Sequence, residues 1–289
     1  MNQPMLADPE TGRLDDVVDL DRHPIHRPES VPWFDMVRGV RRDLRAHGAA
    51  SLPGFVHADA LAGLRTELTA LRPFVAVTTD HRDPYARDET DAADPLPRSR
   101  WTAGHVTRDM FPPHSRAQRL YVAPGFKHFI AACLGRDRVF EYADPLAGLV
   151  ATVLPPGGQY GWHYDTNAFV VTLSVQAAEL GGVFEYVPGL RRPGDENLDG
   201  LRRVLGGDRS GVASMDAKPG ALQLFLGRYA LHRVTEVAGA ADRLTLVLSY
   251  ADRPGVIGPV ARTRKVYGRV TEAHLVAGGA FAGADGLIP

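Results

Sequence analysis

Three side chains in this sequence have the types and the strand-like settings needed to hold one metal ion. In Gly161-Trp162-His163-Tyr164-Asp165 the histidine and the aspartate stand two positions apart. In an extended strand both project to the same face, where one ion could be gripped by both. His232, within Tyr229-Ala230-Leu231-His232-Arg233-Val234, sits in a second β-like stretch that could close the site from the opposite sheet. Two imidazoles and one carboxylate on one face of an octahedron leave three positions open, as iron(II) oxygenases require for dioxygen and a bidentate co-substrate.

His-x-Asp alone is a weak signal. In a chain with 11 histidines, about one such pair is expected by chance. His81-Arg82-Asp83 has the same spacing but sits in a charged run without flanking apolar strands, and it reads as a surface pair. Arg243 adds weight to the other pair. It heads the apolar run Arg243-Leu244-Thr245-Leu246-Val247-Leu248-Ser249. A guanidinium is seldom buried without a partner, and its planar fork grips a carboxylate through two hydrogen bonds. Strand alternation puts the Thr245 hydroxyl on the same face as Arg243. An edge-strand arginine paired with a surface acid is the alternative for Arg243 taken alone.

The elements that must position these groups are mostly strands. Short β-rich runs are expected at 139–142, 149–154, 169–175, 182–186, 221–225, 230–234 and 243–250, separated by Gly and Pro. That rhythm favours a sandwich or jelly roll over a parallel sheet with crossover helices. Ahead of them, Trp33, Val37, Val40 and Leu44 recur at helical spacing, so residues 33–47 should form an amphipathic helix ended by Gly48. A second helix is expected at 58–71 and a third at 115–134, with a short one near 197–205. Residues 78–100 carry many acids and three prolines with almost no large aliphatics, and read as a long exposed loop. Such loops in compact domains are often active-site lids.

Composition narrows the function classes. The chain has 289 residues, 44% hydrophobic and 23% charged, which is ordinary for a globular protein with a sizeable core. Its 33 basic and 34 acidic residues are interspersed, so neither nucleic acid nor an anionic membrane is an expected partner, and a small molecule is. Cys133 is the sole cysteine, which excludes an internal disulfide and a zinc-cysteine cluster and suits a reducing cytoplasm. The first twenty residues lack the charged start and apolar run of a signal peptide, and no apolar stretch is long enough to span a bilayer. A soluble, unprocessed, cytoplasmic protein is expected. There is no P-loop, Rossmann fingerprint or G-x-S-x-G elbow. His105, His114 and His128 have no partner at useful spacing, and Cys133 reads as a buried small hydrophobe.

The set His163, Asp165, His232 and Arg243 resembles the iron(II)/2-oxoglutarate dioxygenase superfamily, whose double-stranded β-helix carries His-x-Asp, a distal His and a downstream Arg. The resemblance covers about residues 149–252. Within it, Gly181-Gly182-Val183-Phe184-Glu185-Tyr186-Val187-Pro188, Asp195-Glu196-Asn197, Lys218-Pro219-Gly220-Ala221-Leu222-Gln223-Leu224-Phe225, His232-Arg233-Val234-Thr235 and Ser249-Tyr250 are similar to the BesD-like group of freestanding amino-acid halogenases and hydroxylases.

The resemblance implies a mostly β fold with flanking helices, a cupin-like jelly roll. It implies one domain over 1–289, with an arm, helical buttress and lid in 1–135 and the jelly-roll core in 136–252. Its cofactors would be Fe(2+), 2-oxoglutarate and dioxygen. His163, Asp165 and His232 would be the metal ligands, with Arg243, helped by Thr245, on the distal carboxylate of 2-oxoglutarate. Arg100 becomes a candidate clamp for the substrate carboxylate, with a solvated loop arginine as the alternative, and the substrate would be a free polar amino acid. Read from the residues alone, Trp101 and Trp162 could line the pocket or simply pack in a β-rich core. Halogenases of the group lack the carboxylate ligand and hold chloride in its place, so Asp165 makes hydroxylation the expected outcome. Desaturation, cyclisation or epoxidation at the same site, or a non-catalytic cupin-like binding module, are the alternatives.

Overall fold

The helical spacing of Trp33, Val37, Val40 and Leu44 is realised as α1 (Val31–His47), which buries those four side chains. Ser30 caps its start by accepting from the Trp33 N–H, and Gly48, at φ 68, ends it in the left-handed conformation that glycine adopts without a Cβ penalty. A computed structural model of the chain describes residues 14–87, 95–277, 285, 287 and 288.

The remaining helices are α2 (Ala58–Leu71), α3 (Arg116–Val122), α4 (Pro124–Leu134), α5 (Leu198–Leu205), α6 (Val260–Tyr267) and α7 (Glu272–Ala277). The strands in chain order are β1 (Ala49–Leu52), β2 (Thr78–Arg82), β3 (Ser99–Val106), β4 (Phe140–Glu141), β5 (Leu149–Leu154), β6 (Tyr160–His163), β7 (Val170–Gln176), β8 (Leu180–Gly181), β9 (Phe184–Val187), β10 (Ala213–Met215), β11 (Leu222–Phe225), β12 (Leu231–Val234), β13 (Val237–Ala238), β14 (Arg243–Leu248) and β15 (Tyr250–Ala251). The strands expected from 139 onward appear with their ends shifted by at most two residues.

A seven-stranded sheet, ordered β1-β11-β7-β14-β5-β3-β2, and a four-stranded sheet, ordered β10-β9-β12-β6, together enclose a cavity in a jelly-roll architecture. Period-two alternation gives the large sheet two different faces. On β14, Leu244, Leu246 and Leu248 join the core beneath the helices, while Arg243, Thr245 and Val247 line the cavity. On β11, Leu222 and Leu224 face the helices and Gln223 and Phe225 face the cavity.

Packing, more than capping, holds the helices on this sheet. α2 begins at His57 without a side-chain cap, a loss of about 1 kcal/mol. It nevertheless buries Ala60, Leu64 and Leu68, and truncating one such leucine to alanine costs about 2–5 kcal/mol.

Three expectations need correction. The helix expected over 115–134 is two helices, because Pro124 starts α4 and forces Ala123 into an extended conformation (φ −60, ψ 123). The exposed loop expected over 78–100 contains β2 and the first two residues of its partner β3, while its acidic stretch 88–94 lies outside the described residues. Its charges fold inward by pairing: Arg82 donates to Asp80 at 2.8 Å, and buried Asp83 accepts from Arg87 at 2.8 Å. The boundary drawn between 1–135 and 136–252 does not separate buttress from core, since β1, β2 and β3 are members of the large sheet. No helix among the described residues is long and apolar enough to cross a membrane.

Candidate active site

His163 ends β6 and stands directly opposite His232 of β12 in the small sheet. Each imidazole is held by a backbone carbonyl two residues earlier: His163 Nδ1 lies 2.8 Å from the Gly161 oxygen and His232 Nδ1 lies 2.9 Å from the Ala230 oxygen. A carbonyl only accepts, so Nδ1 carries a proton in both rings and Nε2 is the nitrogen left to face a metal. Removal from bulk water, and the neighbouring His232, hold His163 well below the ordinary histidine pKa, in the neutral form a ligand needs.

Asp165 follows β6 and brings its carboxylate to the same point, with Oδ2 3.3 Å from His232 Nε2. One donor atom from each of His163, Asp165 and His232 lies within 4.8 Å of the others, close enough for one ion to bridge all three. His81 and Asp83 form no such cluster; Asp83 is engaged by Arg87.

Arg243 lies on the cavity wall of β14 and is buried. Its Nη1 donates to Thr245 Oγ1 at 2.8 Å, and among the described residues no carboxylate pairs with it. Desolvation pushes its pKa down to about 10, which still leaves a cation at neutral pH. A buried guanidinium without a counter-ion is a strong site for an incoming carboxylate. The surrounding wall includes Thr152, Tyr160 and His105, whose Nε2 is 2.9 Å from the Tyr160 hydroxyl.

The cavity has a volume of about 620 Å³. Trp101 lines it, with its ring centroid 4.5 Å from that of His163. Trp162 does not; it packs with Val187 and Leu201 on the other side of the small sheet, beneath Arg233. Arg100 is also turned away. It donates to Glu236 at 2.8 Å and to the Gly157 carbonyl at 3.0 Å, so it is not placed to clamp a substrate. The physical reason is parity: on β3 the residues Trp101, Ala103 and His105 face the cavity, and the even positions between them do not.

Arg82, Tyr160, His105 and Arg262 line the cavity without having been singled out from sequence. Arg82 was hidden in the charged run, His105 lacked a partner at useful spacing, and α6, which carries Arg262, lies beyond the expected core. Cys133 is buried, and desolvation pushes its thiol pKa up, away from nucleophilic use.

Residues 34–263 match the model of one protein family, described as HalD, Halogenase D. The chain belongs to that family. With the halogenase D family it falls within the 2-oxoglutarate/iron(II) oxygenase superfamily and is an iron(II)/2-oxoglutarate-dependent enzyme. A search of curated proteins gives no match. Solved structures share the fold. AviO1 from Streptomyces viridochromogenes Tue57 is 16% identical, with 75% of this chain and 96% of that chain covered and a TM-score of 0.54. The non-haem α-ketoglutarate-dependent epimerase SnoN from nogalamycin biosynthesis is 15% identical (75% and 83% covered, TM-score 0.53). A prolyl hydroxylase from Trichoplax adhaerens, bound to a hypoxia-inducible-factor peptide, is 13% identical (78% and 94% covered, TM-score 0.51).

The cofactor set is Fe(2+), 2-oxoglutarate and dioxygen, and the donors present fit it. Two imidazoles and a carboxylate suit iron(II), and a buried guanidinium that no carboxylate pairs with among the described residues suits a dicarboxylate co-substrate.

Proposed function

We propose that this halogenase D family member is a hydroxylase of an unactivated C–H bond in a small molecule, a free polar amino acid, acting in the cytoplasm. The observation that carries this reading is Asp165, a carboxylate standing within ligand distance of both imidazoles. With a protein oxygen there, the position that a halide would take is occupied.

Iron(II), 2-oxoglutarate and dioxygen supply the oxidising power to functionalise an aliphatic carbon, with succinate and carbon dioxide as by-products. The chain's own contribution is position and exclusion of water. His163, Asp165 and His232 are the proposed ligands, and the Gly161 and Ala230 carbonyls that accept from Nδ1 of His163 and His232 orient the two rings. Arg243 holds the distal carboxylate of 2-oxoglutarate, with Thr245 fixing the guanidinium. Trp101, Phe184 and Phe225 wall the metal side of the cavity with apolar surface, which strengthens charge interactions inside it.

The test is an anaerobic titration of metal-free protein with iron(II) and then 2-oxoglutarate, following the metal-to-ligand charge-transfer absorption, with aerobic turnover of amino acids read by product mass. A band that is lost in His163→Ala, and a product heavier by one oxygen formed with succinate, are expected. The family's description favours a second reading, halogenation, and a chlorinated product in the presence of chloride would establish it. Loss of two hydrogens would mean desaturation or cyclisation. Bound iron without a band would leave a metal-binding module.

A further inference from the structure

Among the described residues five cationic side chains line the main cavity: Arg82, Arg87, Arg243, Arg262 and Lys265. Arg82 is paired with Asp80 and Arg87 with Asp83, and Lys265 donates to the Ala86 carbonyl and has further contacts. Arg243 and Arg262 are left, and neither pairs with a carboxylate among the described residues. A 2-oxoglutarate molecule whose keto-acid end is on the metal has one carboxylate remaining for the protein. One half-buried guanidinium is therefore left over.

We infer that Arg262 anchors a carboxylate of the substrate, so that the enzyme acts on carboxylic acids oriented by that group; this rests on the proposed oxygenase function. Arg262 projects from α6 at the junction of the main cavity with a smaller adjoining one of about 190 Å³. Among the described residues it has no hydrogen-bond or ion-pair partner. Asp165 and Arg262 both line the two cavities, which places Arg262 on the metal side, whereas Arg243 is tied to Thr245.

The anchor is rigid. Asp144 is fully buried and accepts from the backbone N–H groups of Leu146, Ala147 and Gly258 and from His274 Nε2 at 3.1 Å. The Thr271 N–H donates to His274 Nδ1, so the ring proton sits on Nε2 and points at Asp144. These contacts fix both ends of the α6–α7 segment against the body of the protein. An unpaired, half-buried guanidinium on a segment pinned at both ends costs free energy unless an anion arrives to meet it.

The lining also favours an acceptor-rich ligand. Among the described residues Trp101 Nε1 and Gln223 Nε2 are buried donors with no partner, while the Asp80 carboxylate is engaged by Arg82 and Asp165 belongs to the proposed metal site. Carboxylate recognition by Arg262 is compatible with a free amino acid and equally with an acid that has no amino group.

The experiment uses the full chain loaded anaerobically with iron(II), as wild type, Arg243→Ala, Arg262→Ala and Arg262→Lys. Titration with 2-oxoglutarate should show binding weakened by about tenfold or more in Arg243→Ala and unchanged in Arg262→Ala. The loaded protein is then screened with the common L-amino acids, each as acid and as carboxamide, and with short aliphatic acids lacking an amino group. The readouts are displacement of the charge-transfer band and the thermal midpoint. At least one acid should displace the band while its carboxamide does not, and Arg262→Ala should lose this response by about tenfold or more, with Arg262→Lys in between.

If Arg262→Ala loses 2-oxoglutarate binding as Arg243→Ala does, the residue serves the co-substrate and the inference falls. It also falls if acids and carboxamides act alike, or if no acid displaces the band. Absence of a band in the wild type overturns the oxygenase reading itself, and is distinguishable because it precedes any dependence on Arg262.

Discussion

The Asp165 carboxylate occupies the space that a side chain at position 227 would need: a Cβ built on Gly227 would lie 1.9 Å from Asp165 Oδ2. The two residues are also joined through the backbone, the Asp165 N–H donating to the Gly227 carbonyl at 3.1 Å. Glycine at 227 and aspartate at 165 therefore form one device, in which the missing side chain of one makes room for the carboxylate of the other.

Gly227→Ala should displace the carboxylate and lower iron(II) affinity by about 10–100-fold, the usual scale for disturbing a ligand's support. The thermal midpoint of the metal-free protein should change little. In an Asp165→Gly background the same substitution should cost little further, because the three atoms it meets first are gone. Unchanged iron affinity in Gly227→Ala would mean that Asp165 is not a ligand.

Arg243→Ala should raise the 2-oxoglutarate concentration needed for half-saturation by the equivalent of about 1.5–3 kcal/mol, the value of a hydrogen bond to a charged group. Thr245→Val removes only the neutral bond that holds the guanidinium, seen at 2.8 Å, and should cost about 0.5–1.5 kcal/mol. The two losses should be less than additive, since Thr245 acts through Arg243. Titration of the charge-transfer band in the four-member cycle measures this directly.

Acid should weaken the metal-free protein through His105. Desolvation in the first place, and the charge of Arg82 in the second, lower its pKa from 6.5 to about 4. Between those values the unfolded chain takes up a proton that the folded chain refuses, so stability falls as pH drops from 6.5 towards 4. The loss attributable to this one ring is on the order of 2 kcal/mol. Urea unfolding at neutral pH and near the lower end of that window should show a smaller loss in His105→Gln than in the wild type. Equal losses would place the titration elsewhere.

Asp285 seats the last described residues beside the cavity. Its carboxylate takes two bonds from Arg228, at 2.5 and 2.6 Å, which hold its pKa down at about 2, while Ile288, whose N–H donates to Glu196, lines the cavity. Asp285→Asn should speed hydrogen exchange at the Leu287 and Ile288 amides while leaving the β-sheet amides protected, because the pair holds a local segment. Unchanged exchange at both amides would show that Arg228 is not what seats the segment.

Much of the site was legible in the sequence wherever one local period governed it. His163 and Asp165 could be placed together, and Arg243 with Thr245, because each pair sits two positions apart in an extended stretch. The helices at 31–47 and 58–71 were visible because their apolar faces repeat at 3.6-residue spacing. Arg100 shows where that logic stops: its face depends on the pairing of β2 with β3, and a shift of one position puts Trp101 in the cavity and Arg100 outside.

The sequence by itself determined the kind of chemistry, since two imidazoles, a carboxylate and a strand-borne arginine admit few metals and co-substrates. Only the tertiary structure decided the rest. It set His232 opposite His163 across two strands, opened space for Asp165 by facing it with Gly227, and carried Arg262 on a helix beyond the sheets to the metal side of the cavity. Each of these is a contact between segments far apart in the chain, and no periodicity within either segment encodes its distance to the other.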